Sequence, residues 1–213
     1  PILLRALRPF LKHSGVREVV VSLPTADAES PPAWLIEADP RIRVVAGGET
    51  RRDSVWVGLQ ALSDALDVAV VHDGARPLVS RDVVRRCIDL AGRGLGAVAG
   101  VPAIDTIKEV DDGGHIVATP DRSRLWHAQT PQAFPLGVII DAYRRAFSDD
   151  VPASDDAALV ERVGGRVMMV ESSADNLKIT RPEDLEVAES LLSRGESSLR
   201  AMAVEEGRLR DRS

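Results

Sequence analysis

Strand-length apolar runs alternating with amphipathic stretches predict an α/β fold, a doubly wound, mostly parallel sheet with helices on both faces. Three observations carry this. The runs Glu18–Leu23, Ile42–Ala46, Val68–Val71, Ala97–Pro102 and Val167–Val170 are short and nearly unbroken in hydrophobicity, as strands covered on both faces are. The segments between them repeat apolar residues at helical spacing. One stretch, Thr106–Pro120, breaks the alternation with a hairpin pattern, predicting an antiparallel β-arm inserted in the parallel fold.

Taken in order, Leu3, Leu4, Leu7 and Leu11 share a helical face, with Pro9 predicting a kink and Ser14-Gly15 an end. Strand Glu18–Leu23 is followed by a Pro-rich helix at Pro31–Glu37 and strand Ile42–Ala46. Gly47-Gly48-Glu49-Thr50-Arg51-Arg52-Asp53-Ser54 forms a turn that opens a helix with Val55, Leu59 and Leu62 on one face. Val68–Val71 reads as a buried parallel strand, Arg81–Leu90 as a helix around Cys87, and Ala97–Pro102 as a strand. The arm pairs Thr106–Val110 with His115–Thr119 across Asp111-Asp112-Gly113-Gly114. Leu125–Phe134 is extended, Leu136–Phe147 an amphipathic helix, and Ser154-Asp155-Asp156 heads a helix to Val163. Strand Val167–Val170 and a short strand Leu177–Thr180 follow. Thr180-Arg181-Pro182-Glu183 has capping-box spacing ahead of the helix carrying Leu185, Ala188, Leu191 and Leu192. Residues 1–194 thus form one Rossmann-like domain, including the arm at 106–120; 195–213 is a charged tail, a frayed helix or disordered.

Composition narrows the function classes. The 213 residues bury one substantial core, and 44% hydrophobic with 28% charged residues is ordinary for a water-soluble globular chain. A formal charge of −6 and 3% aromatics argue against a nucleic-acid partner, which calls for a basic face and stacking rings. Cys87 is the single cysteine, so there is no disulfide or cysteine metal framework. No apolar run approaches the roughly 18 residues that span a bilayer. A cytoplasmic location is expected, with a plastid one left open.

Polar clusters stand at the ends of four predicted strands: Gly47–Ser54, Asp73–Arg76, Ala103–Thr106 and Asp175–Lys178. In a doubly wound sheet such ends gather at one rim, where ligands bind. Asp73 suits a hard cation or a hydroxyl; Arg76, Arg122 and Lys178 suit phosphate, Arg as a fork and Lys as a point charge. Together they describe a site for a phosphorylated ligand, because phosphoryl and nucleotidyl transfer depend on positioning and on cations that neutralise spreading charge. Taken singly, Arg122 reads better as a surface charge. Thr50 and Asp53 serve equally as helix caps or ligand contacts. His72 and His127 read as packed histidines rather than bases, and the histidines show no metal-ligand spacing.

The chain resembles the 2-C-methyl-D-erythritol 4-phosphate cytidylyltransferase family, the CTP-dependent enzymes of non-mevalonate isoprenoid synthesis, from Pro1 to about Ser193. The resemblance is carried by Gly47–Ser54, Val71–Pro77, Asp105–Lys108, Asp121-Arg122 with Leu125-Trp126, Thr130-Pro131-Gln132, Ser154–Ala158 and Asp175–Leu185. It implies a nucleotidyltransferase fold and an in-line attack by the substrate's phosphate oxygen on the α-phosphorus of CTP, releasing pyrophosphate. It also implies roles. Gly48, Glu49 and Ser54 hold cytosine. Asp73 meets Mg²⁺ or the substrate's hydroxyls. Arg76, Thr130, Ser154 and Lys178 hold the polyol phosphate, with Lys178, Asp73 and Arg76 as the catalytic set. Thr106 and Arg122, flanking the arm, reach a neighbouring subunit's site. A two-stranded arm cannot bury its own faces, which independently favours a homodimer.

The sequence departs from the family pattern at two places. Ser154 stands where Thr is common, and the hydroxyl is kept. The family's first strand and its Gly-rich loop, whose Arg and Lys cradle the triphosphate, have no counterpart in this sequence. That strand is central in such a sheet, so its loss exposes the edges of both neighbours. The expectation is a chain recorded without its beginning; a protein truly lacking the loop should transfer little. The alternatives are ribitol 5-phosphate cytidylyltransferase, with the same chemistry on another polyol phosphate, and a non-catalytic sugar-phosphate-binding module.

Overall fold

A computed structural model describes residues 1–150 and 155–194. The order of elements is α1 (Ile2–Leu11), β1 (Val19–Leu23), α2 (Thr25–Glu29), α3 (Ala33–Ile36), β2 (Ile42–Ala46), α4 (Arg51–Gln60), β3 (Val68–Val71), α5 (Arg81–Ala91) and β4 (Gly96–Pro102). The arm strands β5 (Glu109–Val110) and β6 (Ile116–Ala118) follow, then β7 (Trp126–Pro135), α6 (Leu136–Ser148), α7 (Asp156–Arg162) and β8 (Val167–Glu171). A last helix, α8, covers residues 182–194.

The main sheet has the order β3-β7-β4-β8, while β1 and β2 form a separate parallel pair. Three of the four main strands share one direction: β4 and β8 are parallel, and β3 and β4 each lie antiparallel to β7 between them. This corrects one expectation: among the described residues Val68–Val71 is bonded to no parallel strand, its neighbour being the antiparallel β7, where the stretch Leu125–Phe134 is extended as expected.

Helices cover both faces, and the two-residue period of the strands sorts their side chains between two cores. Ala69, Val98 and Phe134 pack with α6 and α7, whereas Ala97, Ala99 and Ala133 pack with α5 and Phe10 of α1. Cys87 is fully buried in the second core, and burial pushes its thiol up to about 12. Gly100 sits at an irregularity between β4 and β7, where a Cβ would lie 2.8 Å from the His127 carbonyl oxygen; the close approach requires glycine.

Other boundaries differ in instructive ways. Pro9 lies inside α1 without ending it. α2 was not visible in the sequence. Leu177–Thr180 is not a strand; Ile179 N–H donates a single bond to the Ala75 carbonyl at 2.8 Å. The α8 cap uses Asp184 rather than Glu183, its carboxylate accepting from Thr180 N–H at 2.8 Å and Arg181 N–H at 2.9 Å. The tail 195–213 and Ser154 lie outside the described residues.

Between the two sheets runs an apolar cavity of about 400 Å³, lined by β1 and β3 with Leu3, Leu7 and Phe10 of α1 and Leu59 of α4. Ser22, Leu23, Arg51, Ser54, Asp73 and Gly74 also line it, so the ends of β1 and β3 share one opening. The arm forms as an antiparallel pair, but shorter than expected, with Glu109–Val110 paired to Ile116–Ala118 and Thr106–Lys108 outside the strand; Val110, Ile116 and Val117 are exposed, and Ile104 at its foot is 80% exposed.

Candidate active site

The site is built on the end of β3. Asp73 N–H donates to Thr130 Oγ1 of β7 at 3.0 Å, and Arg76 N–H closes a turn on the Asp73 carbonyl at 2.9 Å. The Asp73 carboxylate then faces three cations. Lys178 Nζ at 3.2 Å and Arg76 Nε at 3.4 Å approach Oδ2, and Arg51 Nε lies 3.5 Å from Oδ1. Burial raises the affinity of Asp73 for a proton, but Lys178, Arg51 and Arg76 outweigh it and hold the carboxyl below its ordinary value. Three cations around one carboxylate leave positive charge over, which suits an anionic ligand.

Lys178 is delivered by a loop pinned through Asn176. The Asn176 carbonyl accepts from Arg76 Nη1 at 2.8 Å, and its side-chain amide donates to Gln129 Oε1 and to the Thr130 carbonyl, both at 2.9 Å. Asp73, Arg76, Thr130 and Lys178, from four separate stretches of sequence, are thereby brought together. Arg51 and Asn176 belong to this group and were missed as site residues. Arg51 carried a readable signal: it opens α4, and a cation in the first turn opposes the helix dipole, so it needs a compensating anion. Asn176 carried none.

His72 is held by the same network and is no free base. Its Nε2–H donates to the Arg76 carbonyl at 3.1 Å, its Nδ1 accepts from the Thr130 hydroxyl at 3.0 Å, and its ring packs on Phe10. Burial lowers it to about 4, so it is neutral at pH 7. Because the folded value lies below the unfolded one near 6.5, the unfolded chain binds the proton more tightly as pH falls from about 6.5 toward 4. The stability that the neutral ring supplies is complete above that window and lost through it. Urea unfolding at pH 7 and pH 5 should show this group costing up to about 2 kcal/mol at the lower pH. A His72→Gln variant should lose that part of the slope; an unchanged slope would contradict the assignment.

The second cluster caps α4. Thr50 Oγ1 accepts from Asp53 N–H at 3.1 Å and Thr50 N–H donates to Asp53 Oδ2 at 3.0 Å, a reciprocal capping box. The cap reading therefore holds for Thr50 and Asp53. Ser54 Oγ accepts from Gly48 N–H at 3.1 Å and donates to the Thr50 carbonyl at 3.0 Å. A Cβ on Gly48 would lie 2.3 Å from Asp53 Cβ, so only glycine fits over the cap. Glu49 is exposed beside it. Ser54 and Asp73 line the same cavity, which joins this cluster to the first.

Thr106 and Arg122 stand apart, exposed at the foot of the arm, where Arg122 Nη1 donates to the Ile104 carbonyl at 2.7 Å. His127 is exposed rather than packed. Among the described residues no three acidic, His or Cys side chains cluster as a metal site, and no helix is long and apolar enough to cross a membrane.

Comparison with known proteins gives a consistent result. The sequence profile of the 2-C-methyl-D-erythritol 4-phosphate cytidylyltransferase family, IspD, matches residues 1–194. The chain is 48% identical over 156 residues to the enzyme of that name from Syntrophus aciditrophicus, covering 73% of this chain and 67% of that protein. It is 42% identical over 192 residues to that of Symbiobacterium thermophilum, covering 90% and 80%. Among solved structures, 4-diphosphocytidyl-2C-methyl-D-erythritol synthase from Anaerococcus prevotii superposes with a TM-score of 0.84 at 28% identity, covering 90% of this chain and 86% of that one. The Thermus thermophilus cytidylyltransferase gives 0.77 at 35%, covering 90% and 89%.

Proposed function

Because the chain belongs to the 2-C-methyl-D-erythritol 4-phosphate cytidylyltransferase family, we infer that it transfers a cytidylyl group from CTP to 2-C-methyl-D-erythritol 4-phosphate. The products are 4-diphosphocytidyl-2-C-methylerythritol and pyrophosphate. The observation that carries the reading is Asp73 at the end of β3 with Lys178, Arg76 and Arg51 within 3.5 Å.

The roles follow from position and charge. Lys178 and Arg76 neutralise phosphate oxygens as charge spreads during in-line displacement at the α-phosphorus. Ser54, which lines the shared cavity, with Gly48 bonded to its hydroxyl and Glu49 beside it, faces the base of CTP. Thr130, which fixes the Asp73 backbone, and Ser154 complete the polyol phosphate site. Asp73 also fits Mg²⁺, a hard cation that typically takes one or two carboxylates with phosphate oxygens and water. Among the described residues no group of three acidic, His or Cys side chains stands there, so phosphate oxygens and water would complete its shell. A divalent cation held by Asp73 would supply positive charge against the phosphate oxygens.

The exposed apolar residues of the arm support a homodimer in which Thr106 and Arg122 reach the neighbouring site. A cytoplasmic location belongs to the same reading. Its test is transfer to 2-C-methylerythritol 4-phosphate against ribitol 5-phosphate, with a kcat/KM preference for the first expected.

A further inference from the structure

The Asp73 cluster rests on a strut that the roles above do not use. Arg51 makes a two-pronged pair with Asp156, Nη2 to Oδ2 at 2.7 Å and Nη1 to Oδ1 at 3.3 Å, while its Nε faces Asp73 Oδ1 at 3.5 Å. Asp156 is completely buried, and its Oδ1 also accepts from the hydroxyl of Tyr143, likewise completely buried. Trp56 stacks on Tyr143 with ring planes 3° apart. The chain Tyr143–Asp156–Arg51–Asp73 thus runs from the α6 core through the start of α7 and the start of α4 to the end of β3.

We propose that Arg51, braced by Asp156 and Tyr143, is a positioning residue that sets the orientation of the Asp73 carboxylate. Lys178 and Arg76 both draw on Oδ2, and Arg51 alone of the three takes Oδ1. Without Arg51 the carboxylate is free to swing both oxygens onto Lys178 and Arg76. That would misplace Asp73 and occupy the two cations meant for phosphate. An Arg is required because the planar fork fixes its own direction on Asp156 while leaving Nε aimed at Asp73; a lysine has one point charge and cannot do both. The placement of Arg51 at the first turn of a helix, where the dipole disfavours a cation, is explained by this task.

The inference rests on the cytidylyl-transfer reading for its kinetic arm only. Arg51→Met by itself strands a buried carboxylate and threatens the fold, so the decisive protein is the double variant Arg51→Met with Asp156→Asn. It removes both charges of the buried pair and keeps an acceptor for the Tyr143 hydroxyl. A merely structural pair predicts that the double variant recovers both melting temperature and turnover. A positioning role predicts recovered melting temperature with kcat still down about 100-fold and KM for CTP little changed. Arg51→Lys should resemble the double variant in kcat.

Crystal structures of wild type and double variant provide a readout that does not depend on turnover: the Asp73 carboxylate should be rotated toward Lys178 and Arg76 in the variant. An unmoved carboxylate, or a kcat within about threefold of wild type, overturns the proposal. Absence of transfer by the wild-type protein would refute the function assigned above, while the crystallographic comparison would still decide the role of Arg51.

Discussion

Lys178→Ala should lower kcat/KM for cytidylyl transfer by about 100- to 1,000-fold, the usual loss when one group stabilising transition-state charge is removed. The fold should survive it. The Lys178 side chain is 43% exposed and its recorded partner is Asp73, which keeps Arg76 and Arg51 after the change. Thermal unfolding should therefore move by only a few degrees, since the lysine end of the pair is solvated and Asp73 keeps two other cations. Arg76→Ala should lose a similar factor in rate but also stability, because Arg76 Nη1 ties the Asn176 loop to β3 at 2.8 Å. The two variants together separate charge from scaffolding. Near-normal turnover in Lys178→Ala, with the protein shown to be folded, would contradict the phosphate role.

The second large effect concerns the arm. Arg122→Ala and Lys178→Ala should each be inactive alone yet recover activity when the two proteins are mixed and allowed to exchange subunits. If each site takes Lys178 from one chain and Arg122 from the other, half of the dimers at equilibrium are hybrids, each with one intact site. Recovery should approach about a quarter of the wild-type rate. The structural ground is the position of Arg122, exposed at the foot of an arm whose Ile116 and Val117 are 62% and 59% exposed. Subunit exchange proven by mass labelling without any recovery would mean that the site is complete within one chain.

Local sequence reading succeeded where local physics decides. Ile42–Ala46 is a strand with those bounds because it is an apolar, Val-rich run between a turn and a double glycine, and of the two readings left open for Thr50 and Asp53 the structure shows the cap. It failed where distant partners decide. β7 carries Gln129, Thr130 and Gln132, polar residues that disguise a central strand, yet all three are buried. Their hydrogen-bonding groups are met from far away, Gln132 by Asp155 and the Ala157 N–H, Gln129 by Asn176 and the Ser173 carbonyl. No local pattern contains those partners.

The candidate site divides the same way. Asp73 and Arg76 were legible as charged residues at a strand end, and Lys178 as part of a polar cluster following a strand, although a loop rather than a strand delivers it; their convergence followed from the topology of a doubly wound sheet. The Arg51–Asp156–Tyr143 support was not, because Asp156 looks in sequence like a helix-capping acid beside Asp155. Its burial is set by α4 and α6, elements that lie far away along the chain.

The central claim is tested most directly by following the full-length protein with CTP, Mg²⁺ and 2-C-methylerythritol 4-phosphate by ³¹P NMR. The account predicts one pyrophosphate for each new diphosphate-linked product, with ribitol 5-phosphate a much poorer acceptor. Pyrophosphate without the cytidyl diphosphate product, or preferential turnover of ribitol 5-phosphate, would contradict it.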